Sequence, residues 1–202
     1  MANSILLTSF TTWKPEQTSN AADDLLAILV QRGLLSDTYH LLRQIPVDFE
    51  LAPAQVIAKI QAVQPKMVVC CGMAEDREQL HIETQAISEN GILHTTIDCT
   101  ALIADLQLTV LSQDAGRFVC NHLYYQVLHY LRTFPSPLPP VSAPQTIAPD
   151  QAVQSTQGTN FPVPGTRHCI FVHVPVLIPN NQDQIVSDFL TILHRLQSLV
   201  TC

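Results

Sequence analysis

The chain has 202 residues, of which 47% are hydrophobic and 13% charged, and its formal net charge is −7. One compact domain with a substantial core is the simplest organisation for this length and composition. The negative charge argues against nucleic acid or an anionic membrane as the main partner, and no apolar run is long enough to span a membrane. Because no signal-peptide pattern begins the chain, we expect a cytoplasmic protein.

Short apolar runs alternate with helical patterns along the chain. Strands are predicted at residues 4–8, 39–45, 66–72, 108–111 and 168–174. Helices are predicted at residues 21–31, 53–63, 98–106 and 184–200, and a fifth helix has Cys120 in its first turn. Strands separated by helices of this length predict an α/β fold: a three-layer α/β/α sandwich around a mostly parallel, twisted central sheet.

Residues 134–164 interrupt this alternation within the single predicted domain. The segment holds eight of the chain's fourteen prolines and is otherwise rich in Ser, Gln, Ala and Thr. This composition predicts a long exposed loop excursion without a packed core. The excursion is either an insertion without function, or a lid or assembly contact.

The six cysteines show no CxxC spacing, and no zinc-type ligand cluster is present in the sequence. In a reducing compartment they are expected to be thiols, and neither a metal nor an organic cofactor is predicted. Cys120 stands out because it follows an apolar strand and a turn that contains Asp114 and Gly116. At the start of a helix, free N–H groups and the helix dipole favour a thiolate. The alternative is that Cys120 is a small buried hydrophobic residue.

Two further residues could join Cys120 in one site. His173 lies near the end of the strand at residues 168–174, and Glu83 follows the strand at residues 66–72 by a loop of about ten residues. In a parallel sheet the strand ends and helix starts gather at one edge, where ligands bind. A thiol, an imidazole and a carboxylate at that edge could form a nucleophile, base and orienting group. Equally, His173 could be a hydrogen-bonded core residue and Glu83 a solvated one.

Four stretches carry a recognisable pattern: residues 114–121 (DAGRFVCN), residues 171–175 (FVHVP), residues 72–83 (GMAEDREQLHIE), and residues 6–10 (LLTSF) with Asn20. They resemble pyroglutamyl peptidase I (pyrrolidone-carboxylate peptidase), peptidase family C15. The first two resemble its nucleophile and histidine motifs, and the fourth resembles its opening strand and helix cap. Residues 72–83 match the length of the segment that carries its catalytic glutamate and keep Gly72, Ala74, Arg77, Ile82 and Glu83. The resemblance implies that Cys120 is the nucleophile, His173 the base and Glu83 the residue that orients the imidazole.

The resemblance also implies a function. Family members are cysteine exopeptidases (omega peptidases) that hydrolyse the amide bond after an N-terminal pyroglutamate through a thioester, without a cofactor. The expected partner is therefore a peptide with a blocked N-terminus, and a homo-oligomer is expected because the family often forms tetramers. Phe10, Trp13, Phe118 and Val119 are the candidates for an apolar substrate pocket, although each could instead belong to the core.

The chain departs from the family pattern at two places. Ser9 and residues 11–14 (TTWK) replace a glycine and a Glu-Pro-Phe-Gly-type run, and the family's Asp-Ala-Arg-type segment after the catalytic glutamate has no counterpart. These departures leave open a divergent member that acts on another amide, or a non-catalytic binding or assembly module. The retention of Glu83, Cys120 and His173 together favours the enzyme.

Overall fold

The structure, a computed structural model, describes residues 3–134 and 167–201. The strands are β1 (Ile5–Phe10), β2 (Tyr39–Ile45), β3 (Met67–Met73), β4 (Leu80–Glu83), β5 (Gln85–Ser88), β6 (Gly91–His94), β7 (Thr109–Ser112) and β8 (His168–Val174). The helices are α1 (Ala21–Gln31), α2 (Leu51–Val63), α3 (Cys99–Ile103), α4 (Val119–Thr133) and α5 (Gln182–Thr201). The predicted elements are therefore confirmed, with shifts of a few residues at their ends.

Six of the described strands form the central sheet, in the order β2-β1-β3-β8-β4-β7. The first four run parallel to one another, and β4 pairs with β7 in parallel but with β8 antiparallel. Strands β4 and β7 therefore run opposite to the rest. The sheet is mostly parallel, as predicted, but its reversed pair stands next to β8.

Apolar side chains cover both faces of the sheet. One face packs against α1, α3 and α5, with Leu25, Phe189 and Leu193 in its core. The other packs against α2 and α4, with Val56 and Tyr124 in its core. The two packed faces confirm the predicted three-layer α/β/α architecture, because a sheet that is apolar on both faces must be covered on both.

The residues after β3 differ from the expectation. Glu83 does not lie in a loop but ends the four-residue strand β4, and its side chain is 0% exposed. Strands β5 and β6 then form an antiparallel hairpin whose turn contains Asn90, before Gly91 at φ +117°. An Asn-Gly pair is a strong hairpin signal, but no strand was predicted between residues 73 and 97, so this hairpin was missed.

The predicted excursion at residues 134–164 lies outside the described residues apart from Phe134. The flanking residues meet, since the Arg167 guanidinium donates to the Phe134 carbonyl, and both belong to the end of the molecule where α4 finishes and β8 begins. Cys120 lies at the opposite end of α4. Within residues 3–134 and 167–201, no helix combines the length and apolar character needed to cross a membrane.

Candidate active site

Cys120 is the second residue of α4, and its thiol lies over the end of β3. A Cβ atom placed on Gly72 would lie 2.8 Å from Cys120 Sγ and 2.9 Å from the Phe171 ring. These distances are shorter than van der Waals contact, so the thiol occupies space that only glycine leaves open. Gly72 therefore allows the helix start to approach the sheet at this point.

The register of the sheet brings His173 to the same place. Gly72 of β3 is the direct partner of His173 on β8, and His173 is in turn the partner of His81 on β4. Directly opposed residues of neighbouring strands share a face and lie about 5 Å apart. The Cys120 thiol, packed on Gly72, and the His173 imidazole therefore lie at the same point of the sheet edge, and both line one cleft.

Glu83 reaches His173 from the reversed strand. Because β4 is antiparallel to β8, it enters at the edge where β8 ends and runs inward, so that Glu83 is paired with Phe171, two residues deeper than His173. His173 Nδ1 lies 2.8 Å from Glu83 Oε1, and the Tyr124 hydroxyl donates to the Glu83 carbonyl at 2.9 Å. The antiparallel pairing thus explains why Glu83 is both buried and in contact with the imidazole.

Arg77, in the loop before β4, contacts the same carboxylate. Its Nη1 donates to Glu83 Oε1 at 2.6 Å and lies 3.4 Å from His173 Nδ1, while its Nη2 donates to the Asp114 carbonyl at 2.8 Å. Glu83 Oε1 therefore accepts from both an imidazole and a guanidinium. Sequence reasoning noted Arg77 only as a residue shared with the family motif, because nothing in the spacing indicates where so long a side chain ends.

The surroundings fix the protonation states of two groups. Burial alone would raise the pKa of Glu83, but interactions with His173, Ser112 and Arg77 outweigh it and hold the pKa below its ordinary value. Desolvation raises the pKa of the Cys120 thiol to about 12. Glu83 is therefore a carboxylate and Cys120 a neutral thiol near neutral pH. A carboxylate at His173 Nδ1 favours the tautomer with the proton on Nδ1, which leaves Nε2 as an acceptor.

The segment before α4 is held by its own short contacts. Gly116, at φ +79°, donates its N–H to the Asp114 carboxylate at 3.0 Å. The first hydrogen bond of the helix runs from His122 N–H to the Phe118 carbonyl. The N–H groups of residues 119–121 therefore come before the first i→i−4 bond of α4. Asn121 clamps the hairpin, since its amide accepts from Ile87 N–H at 2.9 Å and donates to the Ile87 carbonyl at 2.6 Å.

Two adjoining cavities open at Cys120. The larger, of about 400 Å³, lies between residues 73–77 and residues 115–120 and includes His173. The smaller, of about 40 Å³, is uncharged, and its described lining residues are Phe10, Trp13, Asn20, Val47, Met73, Phe118 and Cys120. Cys120 therefore lies where a cleft meets a small apolar pocket.

Three of the four predicted wall residues line the small pocket. These are Phe10, Trp13 and Phe118. Val119 is 1% exposed and packs in the core between α4 and the sheet, so the prediction of Val119 as a wall residue is wrong. Consecutive residues at a helix start point in different directions, and Val119 points inward where Phe118 points to the pocket. Met73 and Val47 were missed, although each follows or ends a strand at this edge.

The mouth of the cleft is tied together by charges and aromatic rings. Lys14 pairs with Glu75 across the cleft, and Gln17 donates to the same carboxylate at 2.7 Å. The Trp13 ring lies 5.1 Å from Phe118, and Phe118 lies 5.8 Å from Phe49. All three rings are exposed by 44–46%, which is unusual for neighbouring large aromatic side chains and typical of a ligand-contacting surface.

No group of three or more His, Cys, Asp or Glu residues within the described part of the chain is arranged to hold a metal ion. The arrangement is instead a thiol at a helix start beside an imidazole, and that imidazole is hydrogen-bonded to a buried carboxylate. On a three-layer α/β/α fold, this constellation is of the type found in cysteine hydrolases.

Comparison with known proteins finds similar sequences among the pyrrolidone-carboxylate peptidases. The Brevibacillus brevis pyrrolidone-carboxylate peptidase is 32% identical over 123 residues, covering 48% of this chain and 57% of that protein. The Photorhabdus laumondii pyrrolidone-carboxylate peptidase 1 is 25% identical over 158 residues, covering 65% and 71%. The chain spans a little over half the length of the first relatives it matches. No family sequence profile matches it.

Solved structures share the fold over nearly the whole chain. The Bacillus amyloliquefaciens pyroglutamyl peptidase I structure has a TM-score of 0.70, with 18% identity and 97% of each chain covered. The Thermococcus litoralis pyrrolidone carboxyl peptidase has a TM-score of 0.68, with 14% identity and 95% and 92% covered. The chain is therefore similar in part of its sequence to proteins named pyrrolidone-carboxylate peptidase, and in its fold to solved pyroglutamyl peptidase I structures, which is the direction that the motifs indicated.

Proposed function

We propose that this protein is a cysteine exopeptidase that hydrolyses the amide bond after an N-terminal pyroglutamate, using Cys120, His173 and Glu83. The observation that carries the proposal is one cleft lined by the Cys120 thiol, which packs on Gly72, and by the His173 imidazole, whose Nδ1 lies 2.8 Å from Glu83 Oε1. The homologues named pyrrolidone-carboxylate peptidase support the choice of substrate.

The neutral thiol determines the first step. Because the pKa of Cys120 is raised to about 12, a resting thiolate–imidazolium pair is disfavoured. His173 Nε2 therefore takes the thiol proton as the sulfur attacks the substrate carbonyl, and Glu83 stabilises the imidazolium that forms. The S–C bond forms as the C=O π electrons move onto oxygen.

The oxyanion then lies at the start of α4. Backbone N–H groups of the first helical turn point toward it, together with the positive end of the helix dipole. In a comparable enzyme, one such donor is worth about 2.7–4 kcal/mol of transition-state stabilisation. His173 next gives its proton to the leaving amine as the C–N bond breaks, which leaves a thioester on Cys120. Water, deprotonated by His173, then attacks the thioester carbonyl. The C–S bond breaks, pyroglutamate is released, and His173 returns the proton to the Cys120 sulfur.

The small pocket supports the proposed specificity. Pyroglutamate is an uncharged lactam ring, and the pocket beside Cys120 is apolar and aromatic without a charged lining residue among those described. The peptide that follows the scissile bond would leave through the larger cleft, where His173 can protonate its amine. A free N-terminal ammonium would have no counter-charge in the small pocket, which favours a blocked N-terminus.

The direct test is cleavage of a fluorogenic pyroglutamyl amide by the purified, reduced protein, with and without iodoacetamide. We expect turnover that iodoacetamide abolishes, and a Cys120→Ala variant that is inactive but folded. Cys99→Ala, which changes a buried thiol of α3 away from the site, is the matched control and should retain activity. A fully active Cys120→Ala variant would refute the assignment.

A second candidate, a homologue that binds peptides without cleaving them, is favoured by the raised pKa of Cys120 and by the exposed Trp13, Phe118 and Phe49 rings. The same experiment separates the two. Absence of turnover together with an unreactive Cys120 supports the binding module. Absence of turnover with Cys120 alkylated faster than the other thiols supports a hydrolase of another amide.

We also propose a cytoplasmic location and a homo-oligomeric state. The five described cysteines are free thiols, which is consistent with a reducing compartment, whereas the oligomer rests on the family resemblance alone. Cell fractionation and light scattering would test these two points. A monomer at working concentration would contradict the second.

A further inference from the structure

Arg77 adds a side-chain link between two parts of the site, next to the strand pairing of Glu83 with Ser112. Its Nη1 donates to Glu83 Oε1 at 2.6 Å, on the sheet side of the site. Its Nη2 donates to the Asp114 carbonyl at 2.8 Å, on the segment that leads into α4. One planar guanidinium therefore spans the Glu83–His173 pair and the segment that carries Cys120 into position.

The start of that segment is tied to β4, because Ser112 pairs with Glu83. The Ser112 carbonyl accepts from Thr84 N–H at 2.8 Å, and the Gln113 carbonyl accepts from the Gln85 amide at 2.8 Å. From Asp114 onward, the bond from Arg77 is the contact that reaches back to the carboxylate.

The Asp114 side chain and backbone bond mainly within the segment, to Gly116 N–H and to the Ser112 hydroxyl. These bonds shape the turn, but they do not set its distance from His173. The fork geometry of an arginine can hold both acceptors at once, which a lysine ammonium on a single flexible stem cannot reproduce.

The guanidinium also places a positive charge in the site. Its Nη1 is 3.4 Å from His173 Nδ1, and its charge favours the ionised forms of Glu83 and Cys120. The other titratable or charged groups that face this centre come from the strands, the loop of residues 74–79, the segment after β1 and α4. They are His81 and Glu83 from β4, His173 from β8, Cys70 from β3, Glu75 and Asp76 from the loop, Lys14 from the segment after β1, and Cys120 from α4.

We propose that Arg77 is a positioning residue, which holds the nucleophile segment against the Glu83–His173 pair through its bonds to Glu83 and the Asp114 carbonyl. The effect on turnover rests on the function proposed above. The effect on Cys120 reactivity does not, because it can be measured without a substrate.

The test compares Arg77→Met and Arg77→Lys with the wild-type protein. The readouts are the pH dependence of Cys120 alkylation by iodoacetamide, followed by mass spectrometry, and kcat and KM on a pyroglutamyl amide. For Arg77→Met we expect at least about a tenfold loss in kcat with KM little changed, because misplacing the reacting groups raises the free energy of the transition state. Its alkylation should be slower, with the midpoint moved to higher pH because the cation is gone.

Arg77→Lys keeps the positive charge but cannot contact Glu83 and the Asp114 carbonyl at the same time, so it tests the two effects separately. It should restore the wild-type midpoint of the pH profile but not the rate, since the bond to the Asp114 carbonyl is lost. The matched control is Arg32→Met, which removes an exposed arginine paired with Asp183 and should change neither readout.

These measurements test the positioning role of Arg77 separately from the proposed peptidase activity. Wild-type alkylation and pH profile in Arg77→Met would overturn it, and so would full recovery of the rate in Arg77→Lys. If Arg77→Met fails to fold, the lysine variant decides alone. A wild-type protein without peptidase activity, whose Cys120 alkylation still depends on Arg77, would refute the proposed function and leave this inference standing.

Discussion

Two buried carboxylates of this protein are each paired with an arginine, but their surroundings differ. Asp23, at the start of α1, receives both arms of Arg43, Nε at 2.7 Å and Nη2 at 2.8 Å. It also accepts from the Ser9 hydroxyl at 2.7 Å and from the Gln44 amide at 3.1 Å. Both oxygens are thus used within a packed network that joins β1, β2 and α1.

Glu83 is arranged differently. One oxygen accepts from both Arg77 and His173, and the imidazole it holds lines a cleft of about 400 Å³ beside a thiol. The comparison shows that a buried Arg–carboxylate pair by itself indicates nothing about function. What distinguishes Glu83 is a titratable partner that faces a cavity and a nucleophile.

The largest effect is expected for Glu83→Gln. An amide can leave His173 in the wrong tautomer and cannot stabilise the imidazolium, so kcat should fall by roughly 10³–10⁴, as in a comparable triad. Hydrolysis of the fluorogenic pyroglutamyl amide measures this, and circular dichroism checks that the variant is folded. Substantial activity in a folded variant would show that Glu83 is as structural as Asp23.

Gly72→Ala tests the position of the thiol. The new Cβ would lie 2.8 Å from Cys120 Sγ and 2.9 Å from the Phe171 ring, so the sulfur must leave its present position or the helix start must shift. A displacement of about 1 Å can cost about 10²-fold in rate, and we expect a loss of that order in kcat/KM. Steady-state kinetics with a thermal melt as the folding control would check it. Unchanged kinetics would mean that the thiol does not work from its present position.

Asp23→Asn should affect stability and leave catalysis intact. Loss of a charged hydrogen-bond acceptor in a packed network costs about 1.5–3 kcal/mol, measured as the free energy of unfolding in urea, while kcat per folded molecule should not change. Asp183→Asn, which breaks the exposed pair with Arg32, is the matched control and should cost less than about 1 kcal/mol. A loss of kcat in Asp23→Asn would contradict the view that Asp23, unlike Glu83, affects only stability.

The smallest expected effect is the acid dependence of stability. Burial works to raise the pKa of Asp23, but bonds from Arg43, Ser9 and Gln44 lower it below 3.8. A lowered folded-state pKa stabilises the fold above the unfolded value, and this contribution is lost as pH falls through the folded value. Urea melts below about pH 4 should therefore show a steeper loss of stability in the wild type than in Asp23→Asn. Parallel curves would contradict this.

Much of the fold could be predicted because its signals are local. The apolar run at residues 66–72 and the helical spacing after Cys120 are long enough to identify a buried strand and a helix, and Asn20 caps α1 as expected. Strand β4 could not be predicted in the same way. Its four residues, LHIE, do not form an apolar run that would indicate a strand, and its reversed direction depends on pairing with β8.

The sequence could predict which residues meet at the site, but not the side-chain contacts between them. The motifs placed Cys120, His173 and Glu83 at one edge, whereas the depth of Glu83 follows from the antiparallel register. The contacts of Arg77 and the inward direction of Val119 depend on side-chain packing, which spacing does not encode. The catalytic roles of the three residues stay predictions until the variants are measured.

The most direct test of the central claim is to look for the covalent intermediate. The reduced protein is mixed with a pyroglutamyl ester of a good leaving group, quenched in acid and analysed by mass spectrometry. The account predicts one added pyroglutamyl group on the peptide containing Cys120, absent from Cys120→Ala and present in Cys99→Ala. Turnover of the ester with the label on another residue, or with Cys120→Ala fully active, would contradict it.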